Sequence, residues 1–375
     1  MLSLTLNKKE NNTMDLTQQI ALTLLPRGGK RKIRNILRHM EVEEFFSSSK
    51  YRIKSIPGVG EKFLLELDRT KALQEAEKHL LYFEKNEIEP IFFQNKLFPY
   101  RLNHCEDAPL MLYRKGNMDY NKQKVIAIVG TRNASNYGKK CCDELLDGLK
   151  GRDIVVVSGL AYGIDIYTHQ RCLEMGIQTI GVLGHGLDRI YPSIHSNTSK
   201  KMLNHGGLLS EYLPNTKPDR ENFPMRNRIV AGMCDATIVI ESGEKGGSLI
   251  TAELANDYAR DVFAYPGDIE KPYSKGCNYL IQKQKAHLIT SSDDFLKFMN
   301  WDDDKMNKLV QPTLFSNLSP EEEILIKLIE TKKDVSIDVL AIKSEIPISM
   351  LSGILLKLEL DNILKQLPGK RYTLV

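Results

Sequence analysis

Lys124-Val-Ile-Ala-Ile-Val129 is an unbroken run of apolar, mostly β-branched residues, followed at once by Gly130-Thr131-Arg132-Asn133 and then by a helical pattern from Tyr137 to Leu149. A strand that is apolar on both faces belongs inside a parallel sheet rather than at the surface of an antiparallel one. The unit then repeats. Ile154-Val-Val-Val-Ser158 reads as a second strand with a helix after it through Gln170, and Gln178-Thr-Ile-Gly-Val-Leu183 as a third. Ala236 to Glu241 and Val262 to Pro266 are two more, with a helix from Ser248 to Arg260 between them. Strands alternating with helices imply an α/β, Rossmann-like core, a parallel sheet covered on both faces. In such a sheet the ligand sits beyond the carboxyl ends of the strands.

The chain has 375 residues, 42% of them hydrophobic and 27% charged. That is enough material for two or three domains and too apolar for a disordered chain. No apolar run approaches the roughly 20 residues that a membrane helix requires, and the start Met1 to Lys9 lacks the layout of a signal peptide. A cytoplasmic protein with no membrane partner is therefore expected. The six cysteines form no CxxC pair and no zinc spacing, so they read as free core thiols. Lys+Arg total 52 against 48 Asp+Glu, a net +4 that is a weak argument against nucleic acid if taken globally.

Two flanking segments complete the chain. Residues 1–13 read as disordered. Residues 14–88 carry helical periodicity and form an N-terminal helical domain, similar to SAM or helix-hairpin-helix units. Its Ile56-Pro57-Gly58-Val59-Gly60 turn either faces a phosphate or simply connects two helices. A one-signed cluster, Arg27, Lys30, Arg31, Lys32, Arg34 and Arg38, precedes that turn. Residues 89–300 hold the Rossmann-like domain, 301–318 a linker and 319–375 a winged helix. The winged helix begins with Ser319 as N-cap, Pro320 at the first helical position and acids completing a capping box. Its hairpin is expected to turn at Pro368-Gly369. The third helix, Met350 to Leu360, carries one basic residue, which favours packing or protein contact over reading DNA.

The chemistry is concentrated at the strand ends. After the first strand stand Thr131 and Arg132, and after the second Gly159 to Asp165 with His169 one turn on. Later come Arg220, Phe223, Arg226, Asn227 and Arg228, then Gly246-Gly247-Ser248. Small residues let phosphates approach backbone N–H groups, arginines add charge-assisted bonds, and a ring such as Phe223 offers a base a stacking surface. A plainer reading fixes one or both of Arg226 and Arg228 on buried carboxylates such as Glu211 or Asp235. GxGxxG, GxxxxGK[ST] and metal-ligand spacings are all missing, so no cofactor or metal is expected. Asp165 and His169 could act as an acid/base pair, though such pairs more often cap helices.

In this order the stretches Val129-Gly-Thr-Arg132, Ser158 to Asp165, Val182 to Asp188, Phe223-Pro-Met-Arg-Asn-Arg-Ile-Val-Ala-Gly232, Gly247 to Ala252 and Gly276-Cys-Asn278 resemble the DNA-processing family DprA, also called Smf. The resemblance implies a non-enzymatic protein that binds and protects single-stranded DNA taken up in natural transformation. It further implies loading of the RecA recombinase and a homodimer through the Rossmann-like domain. Carried onto this chain, the DNA-binding positions are Thr131, Arg132, Gly159, Arg220, Phe223, Arg226, Asn227, Arg228, Gly247 and Ser248. One departure stands at Gln282-Lys-Gln-Lys-Ala286, which reads with an extra residue. The competing reading is a nucleoside-monophosphate phosphoribohydrolase, whose glycine loop and glutamate are partly echoed by Gly246-Gly247 and Glu253. In that loop, however, Leu249-Ile250 replaces the Gly-Thr and Lys245 the proline.

Overall fold

A computed structural model describes residues 16–302, 318–332, 335–361, 363–367 and 371–374. The expected disorder of residues 1–13, the linker over 303–317 and the turn at Pro368-Gly369 lie outside the described residues. The chain divides after Asp302 into two compact units.

The first unit opens with six helices: α1 (16–24), α2 (Lys30–Ile36), α3 (Val42–Ser47), α4 (Lys50–Lys54), α5 (Glu61–Glu66) and α6 (Arg69–Lys85). Ile20, Ile33, Phe45, Phe63 and Phe83 fill their core, which runs on into Phe92, Met111 and Tyr113 of the sheet. Fully burying such a side chain contributes roughly 1.5–3 kcal/mol. The helices are therefore welded to the sheet by apolar contact. The Pro57 to Gly60 turn joins α4 to α5, with Gly58 at φ +81 and Asn35 donating to the Pro57 carbonyl at 2.6 Å. The basic cluster is largely engaged locally: Arg27 pairs with Glu66, Arg31 with Glu106, and Lys30 donates to the Asp107 carbonyl.

The sheet comprises β1 (Glu89–Phe92), β2 (Met111–Lys115), β3 (Lys124–Val129), β4 (Ile154–Ser158), β5 (Gln178–Leu183), β6 (Gly206–Ser210), β7 (Ala236–Val239), β8 (Asp261–Ala264) and β9 (His287–Leu288). Its nine strands run in the order β1-β2-β6-β5-β4-β3-β7-β8-β9. Strands β3 to β9 are mutually parallel, while β1 and β2 extend the β6 edge antiparallel. That antiparallel edge is an addition to the parallel sheet expected from sequence.

Interleaved helices are α7 (Tyr100–Asn103), α8 (Asn136–Leu149), α9 (Ile164–Met175), α10 (Ser196–Met202), α11 (Asn222–Gly232), α12 (Gly247–Asp257), α13 (Lys275–Gln282) and α14 (Ser292–Phe298). Strand β3 shows why the sequence needs helices on both faces. Val125, Ala127 and Val129 pack with Ile229, Val230 and Ala252 from α11 and α12, whereas Ile126 and Ile128 pack with Leu145 and Phe295 from α8 and α14. Successive strand residues point to opposite sides, so both sides must be apolar. From β3 the chain winds outward through β4, β5 and β6, then returns to place β7 on the other flank of β3. The switch point thus lies between β3 and β7, at the loops that lead into α8 and α12.

The second unit contains α15 (Pro320–Lys332), α16 (Ile337–Ser344) and α17 (Ile348–Leu360) with a small sheet of β10 (Val335–Ser336), β11 (Leu364–Leu367) and β12 (Arg371–Leu374). Ser319 and Glu322 form the expected reciprocal cap: the Ser319 N–H donates to the carboxylate and the Glu322 N–H to the serine hydroxyl. Glu322 also accepts from Lys357 at 2.8 Å, so the one cation of α17 is held against α15. Among the described residues, no single helix is long and apolar enough to cross a membrane.

Candidate nucleic-acid interface

A cleft of about 730 Å³ opens at the β3/β7 switch point. Loops after β3 and β4, the glycine-rich loop before α12, Pro218, Arg220 and one face of α11 line it. Four cations, Arg132, Arg220, Arg226 and Lys245, border it against a single carboxylate, Asp165. The arrangement is locally basic in a chain that is globally almost balanced.

Helix α11 decides which motif residues reach the cleft. Phe223, Arg226, Asn227 and Val230 all line it, spaced as i, i+3, i+4 and i+7, one face of a helix. Arg228 is two positions from Arg226, so its side chain leaves on the opposite side. It is 3% exposed, ion-pairs with Glu211 and donates to the Asp107 carbonyl at 2.8 Å. Arg228 therefore departs from the expected DNA-binding set: it bolts α11 to the loops after β6 and before β2. Of the two plainer alternatives, Glu211 is the partner. Asp235 is taken by Arg101.

Arg226 lines the cleft, yet it is 4% exposed. Its guanidinium donates to the carbonyls of Gly159 and Val182, at the carboxyl ends of β4 and β5, and lies beside Asp165. Glycine at 159 leaves room for the guanidinium, which a Cβ there would meet at 2.5 Å. Burial pushes the Asp165 carboxyl up and the Arg226 guanidinium down, while each favours the charged form of the other. Together they form the floor. Asn227 donates to the Gly247 carbonyl at 3.3 Å and joins α11 to α12. Ser248 is buried, its hydroxyl donating to Ser242, and the Thr131 hydroxyl accepts from the Asn133 N–H.

The exposed functional groups sit above this floor. Arg132 and Arg220 are exposed, as is Lys245 in the glycine-rich loop. The Arg132 guanidinium lies 5.9 Å from the Phe223 ring centroid.

The start of α8 is already occupied by a carboxylate. Glu241 is buried and accepts from the Ser135 N–H at 2.9 Å and the Ser135 hydroxyl at 2.6 Å, filling the start of α8. Gly138 leaves room for it, since a Cβ would lie 2.1 Å from the carboxylate. Asp165, in the first turn of α9, accepts from the Gly159 N–H at 3.1 Å. Helix α12 begins in the cleft lining with no side-chain cap at Gly246: the space beside Gly247 is empty, and the first N–H groups of a helix have no intrahelical acceptor. Helix geometry suits that end to an anion.

The acid/base reading of Asp165 and His169 fails on geometry. His169 is fully buried, its Nδ1 is 2.7 Å from the Thr179 hydroxyl, and burial pushes its imidazole down to about 3. Glu253, the glutamate of the phosphoribohydrolase echo, is exposed, does not line the cleft and pairs with Lys285 at 3.2 Å. All six cysteines are buried and free. Among the described residues no His, Cys, Asp and Glu group could hold a metal ion.

Residues 89–300 match the family described as DNA recombination-mediator protein A. The chain belongs to that family. Residues 312–370 match the DprA winged helix domain. The DNA processing protein DprA of Streptococcus pneumoniae is 44% identical over 199 residues, 53% of this chain and 70% of that protein. Protein Smf of Escherichia coli is 32% identical over 299 residues, 78% of this chain and 79% of that one. Among solved structures, the Streptococcus pneumoniae DprA structure aligns with a TM-score of 0.64 at 34% identity, covering 75% of this chain and 95% of that one. A Helicobacter pylori DNA processing protein A, described for its single-stranded DNA binding mode, aligns at 0.52 and 28% identity over 58% of this chain and 97% of that one.

Tyr191, Lys245 and Tyr273 also line the cleft but are not among the DNA-binding positions expected from the resemblance to the DprA family. Tyr191 was visible as the first aromatic beyond the glycine-rich end of β5, and Lys245 as the cation inside the α12 loop. Tyr273 had no such signal; Asn133 reaches it from across the cleft, donating to its hydroxyl at 2.7 Å.

Proposed function

We propose that the chain binds single-stranded DNA in the β3/β7 cleft and processes it as a carrier, without breaking bonds. One observation supports this above the others: the cleft lining brings the aromatic rings of Tyr191 and Phe223 together with exposed Arg132, Arg220 and Lys245. An electropositive groove with stacking surfaces is what a flexible, unpaired strand requires. A rigid duplex cannot offer its bases to such a cleft. The phosphates lie against Arg132, Arg220, Lys245 and the α12 N-terminus, while Thr131, Gly159, Arg226, Asn227 and Ser248 shape the floor and walls. The family relationship and the Helicobacter pylori protein favour the same ligand. The finer reading is that the protein acts as a dimer in the cytoplasm, protects strands taken up during transformation and delivers them to RecA. The buried roles of Asp165 and His169 weigh against an enzyme.

The test is anisotropy of labelled oligonucleotides, single- and double-stranded, followed by RecA filament formation on strands coated with single-strand-binding protein. Preference for the single strand and faster filament growth support the proposal. Preference for duplex, or release of ribose 5-phosphate from nucleotide monophosphates, contradicts it.

A further inference from the structure

We infer that Tyr191 carries the nucleobase-stacking surface of this cleft, with Phe223 as its backing. The inference rests on the single-strand reading above and assigns the base contact within it. Phe223 is already crowded. Its ring is 5.9 Å from the Arg132 guanidinium and 5.9 Å from the Tyr191 ring, and its edge fills the space beside Gly184, where a Cβ would meet it at 3.1 Å. A base sandwiched between two rings needs about 7 Å between their planes, twice the van der Waals contact distance of about 3.5 Å. The 5.9 Å separation at a 37° tilt leaves no slot between Tyr191 and Phe223. Tyr191, by contrast, lines the cleft with 49% of its surface exposed. It therefore presents the most exposed ring of the lining, Phe223 and Tyr273 both being half-buried, on the cleft wall that also carries the cations that would hold the flanking phosphates. A ring offers every base a π-face, so this contact reads no sequence.

The experiment compares oligo(dT) with a chain of abasic tetrahydrofuran sites of equal length, binding each to the parent, Tyr191→Ala and Tyr191→Phe. The abasic chain keeps the phosphates and removes the bases. The expected result is that Tyr191→Ala weakens oligo(dT) binding by roughly 5- to 150-fold, the range for one stacked base. Its affinity for the abasic chain stays at the parent value, and Tyr191→Phe matches the parent on both. An equal loss on the two chains would assign Tyr191 a structural role and overturn the inference, as would no loss on either. A parent that binds neither chain contradicts the single-strand reading itself, and the inference falls with it.

Discussion

Arg226 and Gly159 are fitted to each other: the Arg226 Nη1 donates to the Gly159 carbonyl at 2.6 Å, and the guanidinium occupies the space a Gly159 side chain would need. The pair makes the cleft floor a packed, charge-compensated layer. Gly159→Ala should therefore act on stability, costing about 1–3 kcal/mol by overpacking. Arg226→Met should cost more, about 3–5 kcal/mol, because it leaves Asp165 buried without its cation. Thermal unfolding of both variants checks this; a melting point equal to the parent's for Arg226→Met contradicts the floor assignment.

Arg228 makes the same point from the other side of α11. Its charge is spent on Glu211, so Arg228→Ala should unfold more easily, by about 3–5 kcal/mol for a broken buried pair. It should keep the parent's salt dependence of oligonucleotide binding, measured at a temperature where the variant is folded. A shallower salt dependence would place Arg228 on a phosphate after all.

His169 predicts a pH effect on folding. Its imidazole is held neutral down to about pH 3 in the folded chain, whereas in the unfolded chain it takes a proton near 6.5. Below 6.5 the unfolded state binds more protons, so stability rises with pH across the window from about 3 to 6.5. At pH 5 the loss attributable to this residue is about 2 kcal/mol relative to neutral pH. Denaturation of the parent and His169→Gln at pH 7 and pH 5 tests it, the parent losing more on acidification. Equal losses would mean that His169 gains its proton within the fold.

Much of this architecture was readable from residue order. Lys124 to Val129 is apolar at every position beyond Lys124 because α-helical layers cover both sides, and that demand shows directly in sequence. The antiparallel edge was less visible. Met111 to Lys115 is short and ends in Arg-Lys, and Tyr113 packs on a helical core distant in sequence. At the site, the glycine and arginine motifs indicated the correct end of the sheet. They did not separate Arg226 from Arg228, since a motif conveys spacing and not rotation. Reading 222–232 as a helix would have separated them, because two residues apart is 200° on a helix. That Glu241 fills the start of α8 could not be read at all, for its contact with Ser135 depends on tertiary closure.

The most direct measurement is the slope of log binding constant against log salt for oligo(dT), taken for the parent, Arg132→Ala, Arg220→Ala and Arg228→Ala. Each lost phosphate contact on a single strand lowers the slope's magnitude by about 0.7. Arg132→Ala and Arg220→Ala should each show that drop with melting points unchanged, and Arg228→Ala should show none. If Arg132→Ala and Arg220→Ala both keep the parent's slope, single-stranded DNA does not occupy the β3/β7 cleft.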